Sequence, residues 1–150
     1  MSQIRKFPIQ SRWQLAAVSV GLAGLLSGVF LAKRAFAAPT RPEPIVSELM
    51  TKALPDIPGK EGLLLSVIYP PNGVDPVHRH DAHGFIYVLE GSIVMQVKGS
   101  APVTLGPGQT FYEGPNDIHT VGRNASSTKP AKFLVVIVKN KGVDAVLPVN

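Results

Sequence analysis

Two of the four histidines in this chain are separated by a single residue, a spacing that would let both bind the same ion. His78 and His80 flank Arg79. On a β-strand residues i and i+2 point to the same face, so both imidazoles can reach one ion while Arg79 points away from them. A third histidine, His119, lies near the start of a later predicted strand. Because neutral imidazoles are ligands for transition metals, these residues predict a metal site; packed or solvated histidines without a metal are the alternative.

The elements that would hold these histidines are short strands. Fourteen glycines and fourteen prolines, dispersed along the chain, indicate many turns. Roughly six to eight strands at spacings of about ten residues predict an all-β sandwich or small barrel. A hairpin is predicted at Glu90-Gly91, between the second and third strands. The predicted strands cover residues 62–69, 85–90, 92–98, 102–105, 109–113, 118–121 and 131–139.

The N-terminal segment has the pattern of an export signal or a membrane anchor. Residues 13–32 carry no charged side chain. As a helix rising about 1.5 Å per residue, they would span roughly 30 Å, the thickness of the hydrocarbon core of a bilayer. Basic residues precede this run, and Ala35-Phe36-Ala37 has the form of a cleavage site. We therefore expect a protein of the cell envelope, periplasmic or secreted if cleaved after Ala37 and otherwise anchored in the membrane by residues 13–32.

A proline-rich linker is predicted to separate this signal peptide or signal-anchor, residues 1–38, from the folded body. Residues 39–61 contain five prolines, which favour an extended and semi-rigid chain. A short helical turn is predicted within the linker, over residues 47–54, with Ser47 as its N-cap. The remaining residues, 62–150, are predicted to form a single β-barrel domain.

The charge and composition of the chain exclude several functions. Residues 1–44 carry six basic side chains and one acidic side chain, which accounts for the whole net charge of +5. Because the folded body has no basic excess, we expect no nucleic-acid partner. The absence of cysteine excludes disulfides, thiolate ligands and thiol nucleophiles. The sequence also contains no serine–histidine–acid triad, P-loop or dinucleotide fingerprint.

Two stretches of the sequence resemble the conserved motifs of the cupin superfamily. Residues 73–91, which contain the histidine pair, are similar to the first motif, and residues 108–119, which end at His119, are similar to the second. The separation of the second histidine from the closing glycine of the first motif matches the family pattern. The resemblance covers about residues 62–140. It implies a double-stranded β-helix, or jelly-roll barrel, with a divalent metal held in its mouth.

The resemblance also implies a set of metal ligands. His78, His80 and His119 occupy the positions of the histidine ligands of the family, which would bind iron, manganese, nickel, copper or zinc. The glutamate ligand of the family falls at Gly84, which offers no side chain. A centre without a carboxylate carries a charge of about +2 and is expected to prefer an anionic or chelating molecule. His83 is predicted either to replace the missing ligand or to transfer protons; an exposed loop histidine is the alternative.

Several other side chains have a predicted place. Phe111, Tyr87 and Tyr112 are expected to fill the interior of the barrel. Glu113 can face either way. Asn124, followed by Ala125 and Ser126, begins a glycosylation sequon that has meaning only in a eukaryotic secretory route.

Three functions are compatible with this sequence. The leading hypothesis is an exported or membrane-anchored cupin with one divalent metal that oxidises or isomerises a small, anionic or chelating organic molecule, with His83 assisting. A histidine-only centre resembles that of some thiol and diketone dioxygenases of the superfamily. The second hypothesis is a non-enzymatic module that binds or senses a small ligand, with or without a metal. The third is a metal-free barrel that acts through oligomer contacts; the resemblance to small cupins implies a homodimer.

Overall fold

The computed structural model describes residues 41–149, and this part of the chain contains strands and no helix. The prediction of an all-β protein is confirmed. The ten strands are β1 (Ile45–Ala53), β2 (Lys60–Tyr69), β3 (His78–Arg79), β4 (Ala82–Glu90), β5 (Ile93–Val97), β6 (Val103–Leu105), β7 (Thr110–Glu113), β8 (Ile118–Asn124), β9 (Ala131–Asn140) and β10 (Leu147–Pro148).

The strands form two five-stranded antiparallel sheets that close into a jelly-roll barrel. The first sheet has the order β1-β2-β9-β4-β7, and the second has the order β10-β3-β8-β5-β6. Strands that follow one another in the sequence often lie in different sheets, as β4 and β5 do. The hairpin predicted at Glu90-Gly91 is therefore wrong, because alternating side chains indicate a strand without identifying its partner. Gly91 instead carries the chain between the sheets with φ of 70°, and a Cβ there would lie 2.7 Å from the carbonyl oxygen of Pro130.

The core lies between the inner faces of the two sheets. Along β4 the side chains alternate between buried and exposed positions from Ala82 to Leu89. Tyr69 and Phe133 are fully buried in the core, and their rings meet edge to face with centroids 4.9 Å apart. The buried apolar residues of the main core cluster are Val67, Tyr69, Ile86, Val88, Ile93, Met95, Leu105, Ala131 and Phe133.

The outer face of the first sheet holds two tyrosines that were predicted to be internal. Tyr87 and Tyr112 are 46% and 48% exposed, so this prediction is wrong, whereas Phe111 packs against the core as expected. In β4 both alternating sets of side chains are largely apolar, so composition does not indicate which set faces inward. The register with the neighbouring strands decides this.

The first strand lies where the sequence analysis predicted a linker. The helical turn expected over residues 47–54 is wrong, because β1 pairs with β2 along nearly its whole length. All nine of its side chains are exposed, so backbone hydrogen bonds to the edge of β2 hold it rather than packing. The predicted N-terminal helix, residues 13–32, lies outside the described residues. Among residues 41–149 no helix is long and apolar enough to span a membrane.

Candidate metal centre

Strands β3 and β8 of the second sheet bring three histidines together. Two of the histidines lie on these strands, and the third directly follows β3. The pairing of β3 with β8 sets His78 directly opposite His119. His80 follows β3 by one residue and returns to the inner face, whereas Arg79 points outward as predicted. All three imidazoles are buried, and one nitrogen from each lies within 4.8 Å of the others. The three predicted histidines therefore form a cluster that could bind a metal ion.

Backbone carbonyls fix the tautomers of two of these rings. Nδ1 of His78 lies 2.8 Å from the carbonyl oxygen of Pro76, and Nδ1 of His80 contacts the carbonyl oxygen of Ala145. A carbonyl oxygen only accepts hydrogen bonds, so each Nδ1 carries the hydrogen and each neutral ring has a lone pair on Nε2. These two Nε2 atoms are only 3.1 Å apart. Two lone pairs at this distance repel each other unless a cation, either a proton or a metal ion, lies beside them.

A carboxylate faces the same cluster. Glu113 ends β7 and is only 3% exposed. Its Oε2 lies 3.1 Å from Nε2 of His80, and its Oε1 lies 3.3 Å from Nδ1 of His119. In the described part of the chain, Oε1 of Glu113 and Nε2 of His119 are buried without a hydrogen-bond partner. The sequence predicted no carboxylate at this centre, whereas the structure places the Glu113 carboxylate beside two of the three histidines.

The separations between adjacent donor atoms are close to those between neighbouring ligands of a divalent cation. Nε2 of His78 lies 3.1 Å from Nε2 of His80 and 3.4 Å from Nδ1 of His119. The two oxygens of Glu113 lie 3.1 Å from His80 and 3.3 Å from His119, each oxygen beside a different ring. Ligands of an ion bound at about 2.1 Å lie roughly 3.0 Å apart at right angles and roughly 3.4 Å apart in a tetrahedron. The imidazole nitrogens and carboxylate oxygens are ligands suited to iron, manganese, nickel, copper and zinc.

Burial and mutual attraction shift the pKa values of the cluster in different directions. Burial lowers the pKa of His119 below its ordinary value. Burial opposes charge on His80 too, but the Glu113 carboxylate and the Ala145 carbonyl outweigh it and raise the pKa of His80. Burial would raise the pKa of Glu113, but the hydrogen bond from His80 and the neighbouring imidazoles lower it. The metal-free cluster thus holds an ionised carboxylate beside a histidine that tends to keep a proton.

The cluster opens into a small cavity of about 130 Å³ inside the barrel. For comparison, an apolar cavity of about 150 Å³ holds one benzene molecule. The cavity therefore has room for a molecule of a few non-hydrogen atoms. Apart from the cluster its wall is mostly apolar, formed by Val46, Leu65, Val67, Tyr69, Asp75, Pro76, Ile86, Met95, Phe133, Val135, Ile137 and Val146.

A second carboxylate lies in the cavity wall beside the cluster. The Tyr69 hydroxyl donates a hydrogen bond to Oδ2 of Asp75, and burial raises the pKa of Asp75. Gly122 lets these groups approach His119, because a Cβ there would lie 2.7 Å from Oδ2 of Asp75 and 2.8 Å from Cε1 of His119. Sequence reasoning missed Asp75, Tyr69 and Gly122 as members of the site, since they come from three separate segments and share no motif.

The fourth histidine is not brought to the cluster. His83 follows His80 by three residues, and this odd offset turns it to the exposed face of β4. There its Nδ1 lies 2.7 Å from the hydroxyl of Tyr112. The structure therefore does not place His83 where it could replace a ligand or transfer protons in the cavity. It matches the alternative of an exposed histidine, although on a strand rather than in a loop.

The asparagine of the sequon has a structural place. Asn124 is 3% exposed at the end of β8. Its Nδ2 lies within 3.0 Å of the carbonyl oxygens of Tyr69, Pro70 and Lys129, and its Oδ1 accepts a hydrogen bond from the backbone of Ser126. The side chain amide thus ties the end of β2 to the loop between β8 and β9.

Comparisons with known proteins agree with this architecture. The family model of the cupin domain matches residues 65–137. An uncharacterized Klebsiella pneumoniae protein with a double-stranded β-helix domain is similar, with a TM-score of 0.57 and 16% identity over 76% of this chain and 92% of that chain. A cupin domain from Bordetella pertussis gives a TM-score of 0.54 and 20% identity over 68% and 99% of the two chains. The matched region of this chain, residues 65–137, is a cupin domain.

A larger protein shares the same fold. The DMSP lyase DddQ from Ruegeria pomeroyi DSS-3 is similar with a TM-score of 0.50 and 23% identity, over 57% of this chain. The match spans 42% of the DddQ chain, so the likeness concerns less than half of that protein. A search of curated protein sequences gives no match.

Proposed function

We propose that this protein is a metal-dependent cupin that binds one divalent transition metal through His78, His80 and His119 and acts on a small organic molecule inside the barrel. One observation carries the proposal: the Nε2 atoms of His78 and His80 face each other at 3.1 Å while both Nδ1 atoms are held by backbone carbonyls. This arrangement presents two lone pairs to one cation.

The cavity supports a substrate that is small and has a group able to bind a metal. A volume of about 130 Å³ limits its size, and the wall around Ile86, Met95 and Phe133 offers it apolar contacts. When bound, the metal would supply a Lewis acid with open coordination positions, which suits oxygenase- or isomerase-type chemistry. Proteins called DMSP lyases have this fold, which supports small-molecule chemistry without indicating a particular substrate.

Asp75 is the group in the cavity wall that we propose for proton transfer, in place of His83. It is held by the Tyr69 hydroxyl, and its raised pKa brings the carboxyl closer to neutral pH than an exposed aspartate. An Asp75→Asn variant is expected to lose turnover while it retains metal. Tyr69→Phe, which removes only the hydroxyl, is the matched variant and should shift the pH profile of turnover.

Location and assembly complete the proposal. We propose that residues 1–38 bring the protein to the cell envelope, either as a cleaved signal peptide or as an anchor through residues 13–32. We also propose a homodimer. Exposed apolar side chains on the outer face of the first sheet support it, since Phe85 lies beside Tyr112 and Val136 on its two neighbouring strands.

Metal analysis of the full chain, purified in mild detergent, tests the proposed function. One equivalent of iron, manganese, nickel, copper or zinc is expected in the wild type, and none in a His78→Ala/His119→Ala variant. Absence of metal in the wild type after incubation with each ion would contradict the proposal. Oxygen uptake and product analysis with small carboxylic acids, thiols and diketones would then separate a catalyst from a module that only binds its ligand.

A further inference from the structure

The glycine at the family's glutamate position lies directly across from a buried glutamate. In the antiparallel pair of β4 and β7, Gly84 is the partner of Glu113. Both residues are buried on the inner face. A Cβ built on Gly84 would lie 3.7 Å from Cβ of Glu113 and 3.8 Å from its Oε2. Carboxylates that start from these two positions can therefore reach the same part of the cavity.

We infer that Glu113 is the fourth ligand of the metal, a carboxylate supplied by β7 in place of the one missing from β4. This inference rests on the proposed metal centre. The two Glu113 oxygens lie 3.1 Å from Nε2 of His80 and 3.3 Å from Nδ1 of His119, which places the carboxylate between two of the proposed ligands. No other carboxylate of the described residues makes an ion-pair contact with these histidines.

The hydrogen bonding of Glu113 is incomplete without a cation. Its Oε1 is buried and lacks a hydrogen-bond partner in the described part of the chain. A buried carboxylate in a mostly apolar cavity is costly unless a positive charge or several donors compensate for it. The structure offers imidazoles here, which are neutral when they bind a metal. A divalent cation in the cluster would supply the missing charge.

This assignment changes the ligand that the centre should accept. Three neutral imidazoles and one carboxylate give a divalent metal a net charge of about +1 rather than about +2. The preference for anionic molecules expected from a centre without a carboxylate is thereby weakened. Small chelating molecules that are neutral, or that carry one negative charge, become suitable occupants of the cavity.

The test moves the carboxylate from one strand to the other. Three variants of the full chain are compared with the wild type: Glu113→Gln, Glu113→Ala, and the exchange Glu113→Ala/Gly84→Glu. A Cβ at Gly84 would make only ordinary van der Waals contacts, and Glu113→Ala removes the carboxylate that would otherwise face the new one. Co²⁺ is the probe, with its dissociation constant measured by titration and its ligand field followed by visible absorption. Glu61→Gln is the control, since Glu61 is also buried but does not line the cavity.

Removal of a residue that only hydrogen-bonds to a metal ligand typically lowers metal affinity 10- to 100-fold. Loss of Glu113, as a ligand itself, should lower the affinity for Co²⁺ by more than this and should change the absorption spectrum. The exchange variant should recover affinity to within about tenfold of the wild type, and Glu61→Gln should bind like the wild type. A folded Glu113→Gln variant that keeps the wild-type spectrum and affinity would overturn the inference, as would an exchange variant no better than Glu113→Ala.

These results separate the inference from the proposed function. If the wild type binds no Co²⁺, the proposed metal centre itself fails. If the wild type binds one equivalent that depends on the histidines but not on Glu113, only the assignment of the fourth ligand fails. Circular dichroism of each metal-free variant establishes that it is folded, so a loss of binding is not confused with a loss of structure.

Discussion

Two buried glutamates of the first sheet have opposite surroundings. Glu61, on β2, accepts a hydrogen bond from the ammonium group of Lys139 and another from the backbone of Gly142. Glu113, on β7, faces imidazoles, and one of its oxygens has no hydrogen-bond partner among the described residues. A lysine is a permanent cation at neutral pH, whereas an imidazole is not. Glu61 is thus compensated by a permanent cation of the chain, whereas Glu113 depends on a proton at His80 or on the proposed metal for its positive charge.

The largest effect on stability is expected at the Glu61–Lys139 pair, where a lysine of the chain supplies the cation. In a Lys139→Met variant, Glu61 would lose its buried partner, and removing one member of a buried pair is strongly destabilising. We expect a clear fall in Tm with metal stoichiometry unchanged, measured by calorimetry and metal analysis. Lys132→Met, on the same strand, is the control and should change Tm little. Equal Tm values for the two variants would show that the Glu61 pair is not structurally important.

The next largest effect is expected from the metal itself. A ligand that binds only the folded state stabilises it by about 4.1 kcal/mol at a free concentration of 1,000 times Kd. Addition of Zn²⁺ to metal-free wild type should therefore raise Tm by many degrees. In His78→Ala/His119→Ala the rise should disappear. A similar rise in that variant would mean that Zn²⁺ binds elsewhere on the protein.

A smaller effect is expected when an added methyl group crowds the metal centre and all metal-binding side chains are kept. In Gly122→Ala the new Cβ would meet Asp75, His119 and Tyr69 at 2.7 to 2.8 Å. Overpacking of this kind typically costs about 1–3 kcal/mol, and displacement of His119 should also weaken metal binding. Gly62→Ala is the matched control, because its nearest contact would be 3.9 Å. Equal metal affinities in the two variants would contradict the close approach at Gly122.

The pH dependence of metal affinity should reveal whether the metal displaces a proton from His80. A histidine with a raised pKa stabilises the folded state fully below its ordinary value of 6.5 and loses this contribution as pH rises through the raised value. Metal binding must displace that proton, so affinity should increase by up to about tenfold per pH unit as pH rises toward the raised pKa of His80, and should level off above it. Isothermal titration in buffers of different ionisation enthalpy measures the protons released; zero released protons would refute this account.

The smallest effect is expected on the outer face of β4. His83→Ala removes the contact between Nδ1 and the Tyr112 hydroxyl, which is exposed. Exposed contacts of this type contribute little to stability, about 1 kcal/mol or less. Metal affinity and Tm should stay close to the wild-type values. A large loss of metal in this variant would restore the interpretation of His83 as a ligand.

Much of this architecture could be predicted from local sequence. Alternating side chains and turn residues located seven of the ten strands found among residues 41–149, although boundaries shifted by up to three residues. The i, i+2 spacing placed His78 and His80 on one face. The segment around β1 escaped prediction because that strand is held by backbone pairing and buries no side chain. No local pattern distinguishes such a strand from an extended linker.

Local sequence could not predict fully which side chains surround the metal centre. Glu113 and Gly84 are far apart in the chain, and only the register of β4 with β7 makes them neighbours. His83 was considered because it is close to the missing ligand in sequence, yet the two-residue period turns it outward. Distance along the chain was therefore a poor guide, whereas strand parity and strand pairing decided which side chains meet.

The buried amide of Asn124 has a practical consequence for producing this protein. Oligosaccharide transfer in a eukaryotic secretory pathway acts on the unfolded chain, where this sequon is accessible. A glycan attached at that stage would have to occupy the space in which the amide contacts three backbone carbonyls. A glycosylated chain could then not close the loop between β8 and β9, so expression in a host without this modification should give the higher yield of folded material.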